Sequence, residues 1–434
     1  MVATPHQTNP GTGRYDALVV GAGMIGVASA LQLQLRGLRV ALVDRAAPGD
    51  GGATFGNGAI LAASSVVPVT TPGLWKKAPR MLLDKDGALF LRWSYLPRLL
   101  PWLKDYLSHC DPAKVQHIAR HLFPLIGDSL DEHRALAVGT AAAASIHPSK
   151  YLFVYRDRAA FDSDAYGWQL RADLGIGWEL HEGQAARALE PDINPLYRCL
   201  VALTDQHGYI DLPDRYVKEL AQAFQTLGGV LHQEEVTGFL RQDQQPDGRL
   251  CGVTTKGGAS GGAIHADKLV IAAGAWSAEL LRPLGIKIRL ESERGYHIQL
   301  SQPSVTVRHP LMIADSKFVV TPMTSGLRLA GLVEFGGLTA GPSKAPIDLL
   351  LRRAKVLFPG LDFASYSAWM GHRPAPSDSL PVLGPTQRHP NLYLAFGHHH
   401  VGLTAGPKTG RLLAEAMTGQ DRSFDFSPYR PERF

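Results

Sequence analysis

The sequence predicts an α/β fold built on a parallel sheet, with a second, mostly antiparallel sheet inserted into the chain. Three observations support this fold class. Between residues 13 and 45 an apolar run, a glycine-rich turn, a helical stretch and a second apolar run follow one another. Strand and helix patterns of the same kind return after residue 205 and again near residue 392. The stretch between residues 290 and 337 instead alternates short runs rich in Val, Ile and Thr, as antiparallel strands do.

The first unit has the order strand, helix, strand. Residues 17–20 are all apolar and stop abruptly at Gly21, which is typical of a buried parallel strand. Apolar residues recur at helical spacing over residues 24–35, and residues 40–43 predict the second strand. Gly21, Gly23 and Gly26 then supply the spacing G-x-G-x-x-G, in which the first permits a turn, the second admits a pyrophosphate and the third lets helix and strand pack closely.

The ends of this unit predict which groups meet a dinucleotide. The helix begins at Met24 and Ile25, so its free N–H groups and positive dipole end face the phosphates. Asp44, followed by Arg45, ends the second strand at about the distance at which a carboxylate reaches a ribose hydroxyl. A 2′-phosphate would be repelled there. This unit alone is compatible with both NAD and FAD.

Length and composition set further bounds. A chain of 434 residues predicts two or three domains, and its formal net charge is +5. Cys110, Cys199 and Cys251 are too few and too far apart for a disulfide framework or a zinc site, so we expect buried thiols. The first dozen residues are polar and lack an apolar core, so we expect no secretory signal and a cytoplasmic protein. No apolar run is long enough to span a membrane.

Basic and aromatic residues alternate between positions 73 and 107. Two interpretations fit: peripheral contact with the inner face of a membrane, or a helix pair with its aromatic rings in the core and its charges in water. The stretch has no nucleic-acid-binding motif, and we expect no nucleic acid as partner. The residues concerned are Lys76, Lys77, Arg80, Arg92, Arg98 and Lys104 together with Trp75, Trp93, Tyr95 and Trp102.

The order of the patterns predicts a discontinuous arrangement of domains. A helical stretch over 115–137 lies in the first excursion, and a strand over 268–273 resumes the first pattern. Near the end we expect a strand over 392–396, a turn-rich segment over 397–406 and a helix over 408–417. We therefore predict one domain from residues 14–72, 205–276 and 366–420, a substrate-binding domain from 73–204 and 277–365, and tails at 1–13 and 421–434.

Six motifs in a fixed order make the chain similar to a known family. They are VVGAGMIGVASA with the following VD, ATFGNGAI at 53–60, AAGAWS at 272–277, RGYH at 294–297, GHRP at 371–374 and GHHHVGLTAGPKTGRLLAE at 397–415. The chain resembles the D-amino-acid oxidase and glycine oxidase flavoproteins, and within them the FAD-dependent D-amino-acid dehydrogenases, including the branch acting on D-proline and D-hydroxyproline. The resemblance implies a Rossmann-like FAD-binding domain with an inserted α+β substrate domain, and it favours FAD over NAD.

The resemblance also implies roles for individual residues. In GHRP, Arg373 would bind the substrate carboxylate with its guanidinium fork, the alternative being a structural salt bridge. Tyr296 and His297 are weaker candidates for contacts to the carboxylate or the amine. No metal is expected at His398–His400, since neighbouring extended residues point to opposite faces. The residues implied to contact FAD are Gly21, Gly23, Met24, Ile25, Gly26, Asp44, Arg45, Thr54, Asn57, Gly58, Val236, Gly274, Trp276, Gly397, His398, Gly402, Leu403 and Thr404.

The implied reaction is oxidative deamination of a D-amino acid or cyclic D-imino acid. Hydride would leave Cα for flavin N5, giving an imino acid and then a 2-oxo acid and ammonia, or a cyclic imine. A quinone or another carrier would accept the electrons. The alternatives are a sarcosine- or glycine-type amine oxidase and a non-catalytic flavin-binding assembly factor. Two positions depart from the family pattern: His399 stands where relatives commonly have glycine, and Lys408 lies near the last helix, where we expect it to be solvated.

Overall fold

The computed structural model describes residues 13–76, 84, 87–243, 248–257, 259–421 and 423–434. Its strands, in chain order, are β1 Tyr15–Val20, β2 Val40–Asp44, β3 Ile60–Ala62, β4 Leu89–Leu91, β5 Ile146–Pro148, β6 Tyr151–Tyr155, β7 Glu179–Glu182, β8 Cys199–Leu203, β9 His207–Ile210, β10 Val230–Gln233, β11 Val236–Arg241, β12 Leu250–Thr255, β13 Ala263–Ile271, β14 Leu290–Ser301, β15 Leu311–Ile313, β16 Phe318–Met323, β17 Gly326–Phe335, β18 Ser365–Pro376, β19 Val382–Pro385 and β20 Leu392–Phe396.

The helices frame these strands in the same order. They are α1 Met24–Leu35, α2 Leu96–Leu107, α3 Pro112–Ile126, α4 Ser129–Ala137, α5 Arg158–Asp162, α6 Ala165–Asp173, α7 Gly183–Leu189, α8 Pro213–Thr226, α9 Ser277–Leu281, α10 Lys344–Leu357 and α11 Gly402–Thr418.

The first sheet has a parallel centre in the order β10-β2-β1-β13-β20. It is buried on both faces, which explains why its strands read as unbroken apolar runs. Val19 and Leu42 point toward the helices α1, α8 and α11, whereas Leu18 and Val43 point into a second core beneath β12. Antiparallel strands extend the sheet from β13, with β12 and β11 following β13 directly and β19 pairing with β20, whereas β10 forms the other edge.

The second sheet runs β18-β14-β17-β16-β15-β6-β8-β7, with β4 paired to β17. It is antiparallel except where β15 meets β6 and β4 meets β17. β14 and β18 pair along twelve residues, from Leu290 opposite Pro376 to Ser301 opposite Ser365. α10 covers one face through Leu349, Leu350 and Leu357. A small third sheet, β3-β9-β5, lies beside the other two. The predicted α/β fold with a mostly antiparallel inserted sheet is confirmed.

Two helix predictions were wrong in their bounds. The stretch 115–137 forms two helices, because α3 ends at Ile126 and α4 begins at Ser129, although the apolar pattern continues through the break. The last helix begins at Gly402, six residues before its predicted start. Glycines and a proline hide this first part in the sequence. Gly410 is required by packing, since a Cβ there would lie 2.7 Å from the carbonyl carbon of Ala28 in α1.

The basic and aromatic stretch 73–107 combines features of both interpretations. Trp102 and Tyr106 of α2 are buried, and the Trp102 indole donates to the carbonyl of Ala375 at 3.0 Å. Trp75 and Trp93 are 58% and 60% exposed. Lys77 and Arg80 lie outside the described residues. Within the part of the chain that the structure describes, no helix has the length and apolar character to cross a bilayer.

Candidate active site

A cavity of about 490 Å³ opens at the carboxyl ends of β1, β2, β13 and β20. β1 lies between β2 and β13, so the connections that follow β1 and β13 lead to opposite sides of the sheet. Open α/β sheets bind ligands at such a point, outside the carboxyl ends of the strands. Fifteen of the residues implied to contact FAD line this cavity: Gly21, Gly23, Met24, Ile25, Asp44, Arg45, Thr54, Asn57, Val236, Gly274, Trp276, Gly397, His398, Gly402 and Leu403.

The glycine-rich turn is shaped by close backbone contacts. Gly21 has φ +108°, and a Cβ on it would lie 2.4 Å from the carbonyl oxygen of Ala272. A Cβ on Gly26 would lie 1.7 Å from the carbonyl oxygen of Gly21. Gly26 is therefore absent from the cavity lining and acts by letting α1 pack against β1. A Cβ on Gly23 would meet only the Thr54 hydroxyl, at 3.6 Å, so the turn is open toward the cavity there.

The N-terminus of α1 faces the cavity without a side-chain cap. Its N-cap is Gly23, and no carboxylate lies in its first turn. The Met24 N–H donates to the Thr54 hydroxyl at 3.1 Å, and the next N–H groups have no earlier helical carbonyl to bond. A helix end of this kind stabilises an anion through its N–H groups and dipole. The pyrophosphate of a dinucleotide fits this position.

Asp44 and Arg45 close the adjoining part of the cavity. The Asp44 carboxylate accepts from the N–H of Ala22 at 2.7 Å and from that of Ala46 at 2.9 Å, so it fixes both the glycine turn and the following loop. The Arg45 guanidinium lies 4.4 Å from the centre of the Trp276 ring. His372 meets the same ring edge-on at 5.3 Å. Val236 lines the cavity from the β11 side.

The loop 53–58 is held by the second sheet. Arg328 donates to the carbonyl of Asn57 at 3.0 Å, and Thr321 donates to that of Gly58 at 2.6 Å. The Asn57 amide oxygen accepts from the Ala59 N–H at 2.8 Å. Gly58 lies outside the cavity lining and faces β16 instead, where a Cβ would come within 2.9 Å of Val319. This placement does not support a direct contact between Gly58 and FAD.

The C-terminal turn brings a second helix N-terminus to the same cavity. Gly402 and Leu403 begin α11 and line the cavity. Burial lowers the pKa of His398 to about 3, so this side chain is neutral, and its Nε2 pairs with the Thr409 hydroxyl at 3.0 Å. Thr404 is turned away, because its hydroxyl donates to the Ile60 carbonyl and accepts from the Ala62 N–H, both at 3.3 Å. Its position does not support the implied FAD contact.

Arg373 lies on β18 beside the cavity, between the lining residues His372 and Pro374. Its guanidinium donates to the carbonyl of Leu332 at 2.9 Å and to that of Gly331 at 3.4 Å. Burial lowers the pKa of Arg373 and the charge of Glu293, its cross-strand partner on β14, opposes this. Two of the five N–H groups are thus engaged among the described residues, and three are left for a planar acceptor such as a carboxylate.

Tyr296 and His297 point to opposite faces of β14, as consecutive strand residues must. Tyr296 is 1% exposed, donates to Glu334 at 2.5 Å and accepts from the Ser343 N–H at 2.9 Å on the side of α10. This placement does not support a substrate contact. His297 faces the loop 53–58, where its Nδ1 meets the carbonyl of Gly56 at 3.1 Å. Burial, aided by the nearby positive charge of Arg328, lowers the pKa of His297 to about 4.

Sequence reasoning missed Glu293 and left the role of His399 open. His399 lines the cavity with φ +50°, and its Nε2 lies 2.6 Å from the Glu293 carboxylate. Burial alone would raise the pKa of Glu293, but the contact with His399 and the charge of Arg373 hold it below its usual value. The only sequence signal was position, since Glu293 comes directly before RGYH and His399 lies within GHHH.

Lys408 was expected to be solvated, and this was wrong. Its side chain is 15% exposed, and its ammonium lies 2.5 Å from Asp128 and 3.3 Å from Glu132. Arg411, one turn further along α11, pairs with Glu132 at 2.6 Å. The cluster joins α11 to α4. The sequence could not show this because the acidic partners lie about 280 residues earlier in the chain.

The sequence profile of the DAO family, described as FAD dependent oxidoreductase, matches residues 16–416. The chain belongs to this family. It is therefore an FAD-dependent oxidoreductase, and the cavity with two helix N-termini and an open glycine turn fits that cofactor.

Among relatives, this oxidoreductase is 36% identical over 97% of its length to a D-amino-acid oxidase of Bradyrhizobium diazoefficiens, of which the match covers 99%. It is 29% identical over 93% of its length to a D-amino acid dehydrogenase of Methylobacterium nodulans, covering 95% of that protein. Both alignments run through nearly the whole chain, and together with the family match they support an FAD-dependent enzyme.

Solved structures share the fold of the oxidoreductase. L-proline dehydrogenase from P. horikoshii superposes with a TM-score of 0.72 at 18% identity, covering 97% of this chain and 98% of that one. Glycine oxidase from Geobacillus kaustophilus gives a TM-score of 0.70 at 21% identity, covering 98% and 100%. At these identities the likeness concerns the fold.

Proposed function

We propose that this FAD-dependent oxidoreductase oxidises D-amino acids, cyclic D-imino acids included, to the corresponding imino acids. The single observation that carries the proposal is the guanidinium of Arg373, which lies beside the cavity and donates to two carbonyls of β17. Among the described residues, its other three N–H groups have no acceptor. The names of the relatives, a D-amino-acid oxidase and a D-amino acid dehydrogenase, support the same substrate class.

Arg373 would bind the substrate carboxylate and thereby orient Cα. A guanidinium fork holds both carboxylate oxygens in one plane, which fixes the direction of the Cα–H bond more firmly than an ammonium would. The two carbonyl bonds to Leu332 and Gly331 keep the fork from rotating. FAD, when bound, supplies the acceptor for the hydride that leaves Cα. The imino acid is then hydrolysed to a 2-oxo acid and ammonia, or is released as a cyclic imine.

We assign the cofactor site from the cavity lining. The N-terminus of α1 with Gly21 and Gly23 would hold the pyrophosphate, Asp44 the adenosine ribose, and Val236 the adenine side. The N-terminus of α11, at Gly402 and Leu403, would stabilise negative charge on the reduced ring. Gly26, Gly58 and Thr404 would act indirectly, through packing and through hydrogen bonds that hold the neighbouring segments.

Anaerobic bleaching of the flavin absorbance band tests the proposal. The purified holoprotein is mixed with D-alanine, D-proline, cis-4-hydroxy-D-proline, glycine and sarcosine, and the rate of reduction is compared. We expect the D-substrates to reduce the flavin fastest. Reduction by glycine or sarcosine alone would move the assignment to the amine-oxidase alternative, and a flavin that no amine bleaches would contradict the proposal.

We further propose that the electrons leave to a quinone or another carrier at a membrane surface. In the described part of the 73–107 stretch, three large apolar side chains are exposed, Trp75 at 58%, Trp93 at 60% and Leu100 at 52%, and the exposed Arg98 and Lys104 flank them. Aromatic rings with basic neighbours suit an anionic bilayer surface.

Co-sedimentation with vesicles tests the membrane contact. Trp93→Ser should weaken binding to vesicles that contain anionic lipid, whereas Leu196→Ser, which removes a comparably exposed side chain at 57%, should not. Equal binding by both variants would remove the contact. Reoxidation of the reduced flavin by a soluble quinone faster than by air would support a carrier as acceptor, and the reverse order would favour oxygen.

A further inference from the structure

We infer that His399, oriented by Glu293, takes the proton from the substrate's ammonium group. The inference rests on the proposed function, because an α-amino group must lose its positive charge before hydride can leave Cα. The family resemblance supplied no proton acceptor for this step. The structure places a carboxylate and two imidazoles next to the proposed carboxylate site.

The contacts of Glu293 fix the tautomer of His399. An ionised carboxylate only accepts, so His399 Nε2, at 2.6 Å from Glu293, must carry its proton and donate it. The other ring nitrogen, Nδ1, is then the acceptor. It lies 2.9 Å from Nδ1 of His400, which consequently donates to it. This is the arrangement in which a carboxylate orients an imidazole and stabilises the imidazolium that forms when the free nitrogen takes up a proton.

The position of Glu293 and His399 relative to Arg373 places them where the substrate amine would lie. Glu293 and Arg373 are opposite each other across β14 and β18 and therefore share one face of the sheet, from which Glu293 reaches His399 of the cavity lining. A carboxylate on Arg373 therefore has its α-amino group on the side where Glu293 and His399 meet. An amino acid arrives as a zwitterion, and this site offers a cation for one end and a carboxylate–imidazole pair for the other.

The backbone holds His399 in an uncommon conformation. Its φ of +50° lies in the left-handed region, which most non-glycine residues avoid. Its N–H donates to the carbonyl of Pro374 at 3.0 Å, which ties the turn to the strand that carries Arg373. A glycine would fit this backbone without strain.

The proton step balances as follows. The N–H bond of the substrate ammonium breaks, and an N–H bond forms at Nδ1 of His399 after His400 has turned its own N–H away. Glu293 balances the imidazolium charge. The imidazolium of His399 then gives up this proton to water, which restores the free Nδ1. Other titratable or charged groups face the pair from β18, β14 and α2: Arg373, Glu291 and Tyr106.

The pH dependence of flavin reduction tests the inference. His399→Gly suits the φ of the site, and His399→Asn offers a second side chain tolerated in that region. With D-alanine, we expect the rate of reduction in both variants to fall about tenfold or more at pH 7, and to approach the rate of the natural enzyme near about pH 10, where the amine loses its proton to water. A lost structural contact would lower the rate at every pH.

Two further measurements separate the alternatives. Propionate, which has a carboxylate and no amine, should perturb the flavin absorbance of His399→Gly with a Kd within about twofold of the natural enzyme, because Arg373 is unchanged. His309→Gln removes another buried imidazole–carboxylate pair, His309 with Glu190 at 2.7 Å, and should keep the natural pH profile.

The outcomes distinguish failure of the inference from failure of the proposed function. An unchanged pH profile in His399→Gly, or a loss that is the same at pH 7 and pH 10, overturns the inference while leaving the proposed function intact. Loss of propionate binding would mean that His399 shapes the carboxylate site and would also overturn it. Failure of D-alanine to reduce the natural enzyme at any pH would refute the proposed function itself, and the inference with it.

Discussion

Replacing Arg373 is the sharpest probe of the substrate site. If three N–H groups of this guanidinium are available and two of them bind the carboxylate, then Arg373→Lys keeps the charge and loses the fork. A hydrogen bond to a charged group contributes about 1.5–3 kcal/mol, so loss of this paired geometry should cost about 3 kcal/mol. That corresponds to an increase of about a hundredfold in the Kd of a D-amino acid. Arg373→Met also removes the charge beside Glu293, and the increase should reach about a thousandfold.

Anaerobic stopped-flow measurement of flavin reduction gives the Kd directly, from the dependence of the rate on substrate concentration. The matched control is Arg171→Lys. Arg171 is also a buried arginine that donates to two carbonyls, those of Ser64 and Gly167, both at 3.1 Å, but it lies away from the cavity. The control should lower the melting temperature and leave the Kd unchanged. A Kd for Arg373→Lys within threefold of the natural enzyme would refute the carboxylate role of Arg373.

Three further outcomes follow from the packing and from the buried titratable groups. Gly26→Ala should lose flavin and at least about 2 kcal/mol of stability, because its Cβ would lie 1.7 Å from the Gly21 oxygen. Gly360→Ala, whose Cβ would have no neighbour within 4 Å, should keep both its flavin and its stability. Flavin content and thermal melting measure these effects. Burial lowers the pKa of His133 to about 4, so the unfolded chain takes up a proton first as the pH falls. The free energy of unfolding should therefore drop between about pH 6.5 and pH 4, and His133→Gln should show a flatter profile. Burial opposes ionisation of Glu132, but hydrogen bonds and charge from Arg411 and Lys408 hold its pKa below the usual value; Glu132→Gln should therefore destabilise the protein at neutral pH, and the difference should vanish as the natural enzyme is acidified through that pKa. A melting profile without these trends would contradict the assigned contacts.

The features that the sequence could predict are those with a local cause. Gly21 and Gly26 are spaced by the geometry of one turn, and α1 and β2 follow within twenty residues, so the motif, its strands and its helix were confirmed together. The family and its FAD chemistry were confirmed by the match over residues 16–416. The domain boundaries and the individual site residues stay predictions, although fifteen of the proposed FAD residues line one cavity.

The features that escaped prediction depend on register and on distant partners. Alternation shows that Tyr296 and His297 face opposite ways, but only the tertiary structure shows that His297 faces the loop 53–58 and Tyr296 faces Glu334. His399 and Glu293 are 106 residues apart, and no spacing rule connects a turn residue to a strand residue at that distance. For the same reason Lys408 could not be assigned to Asp128 and Glu132.

The handedness of the substrate is the most direct test of the account. Relatives in sequence are a D-amino-acid oxidase and a D-amino acid dehydrogenase, whereas an L-proline dehydrogenase shares the fold with a TM-score of 0.72. The measurement is the anaerobic rate of flavin reduction by D-proline and by L-proline in the same preparation. We predict reduction at least about a hundredfold faster with the D-enantiomer, since a carboxylate held by Arg373 and an amine held at a second contact leave only one enantiomer with its Cα–H toward the flavin. Equal rates, or faster reduction by L-proline, would contradict it.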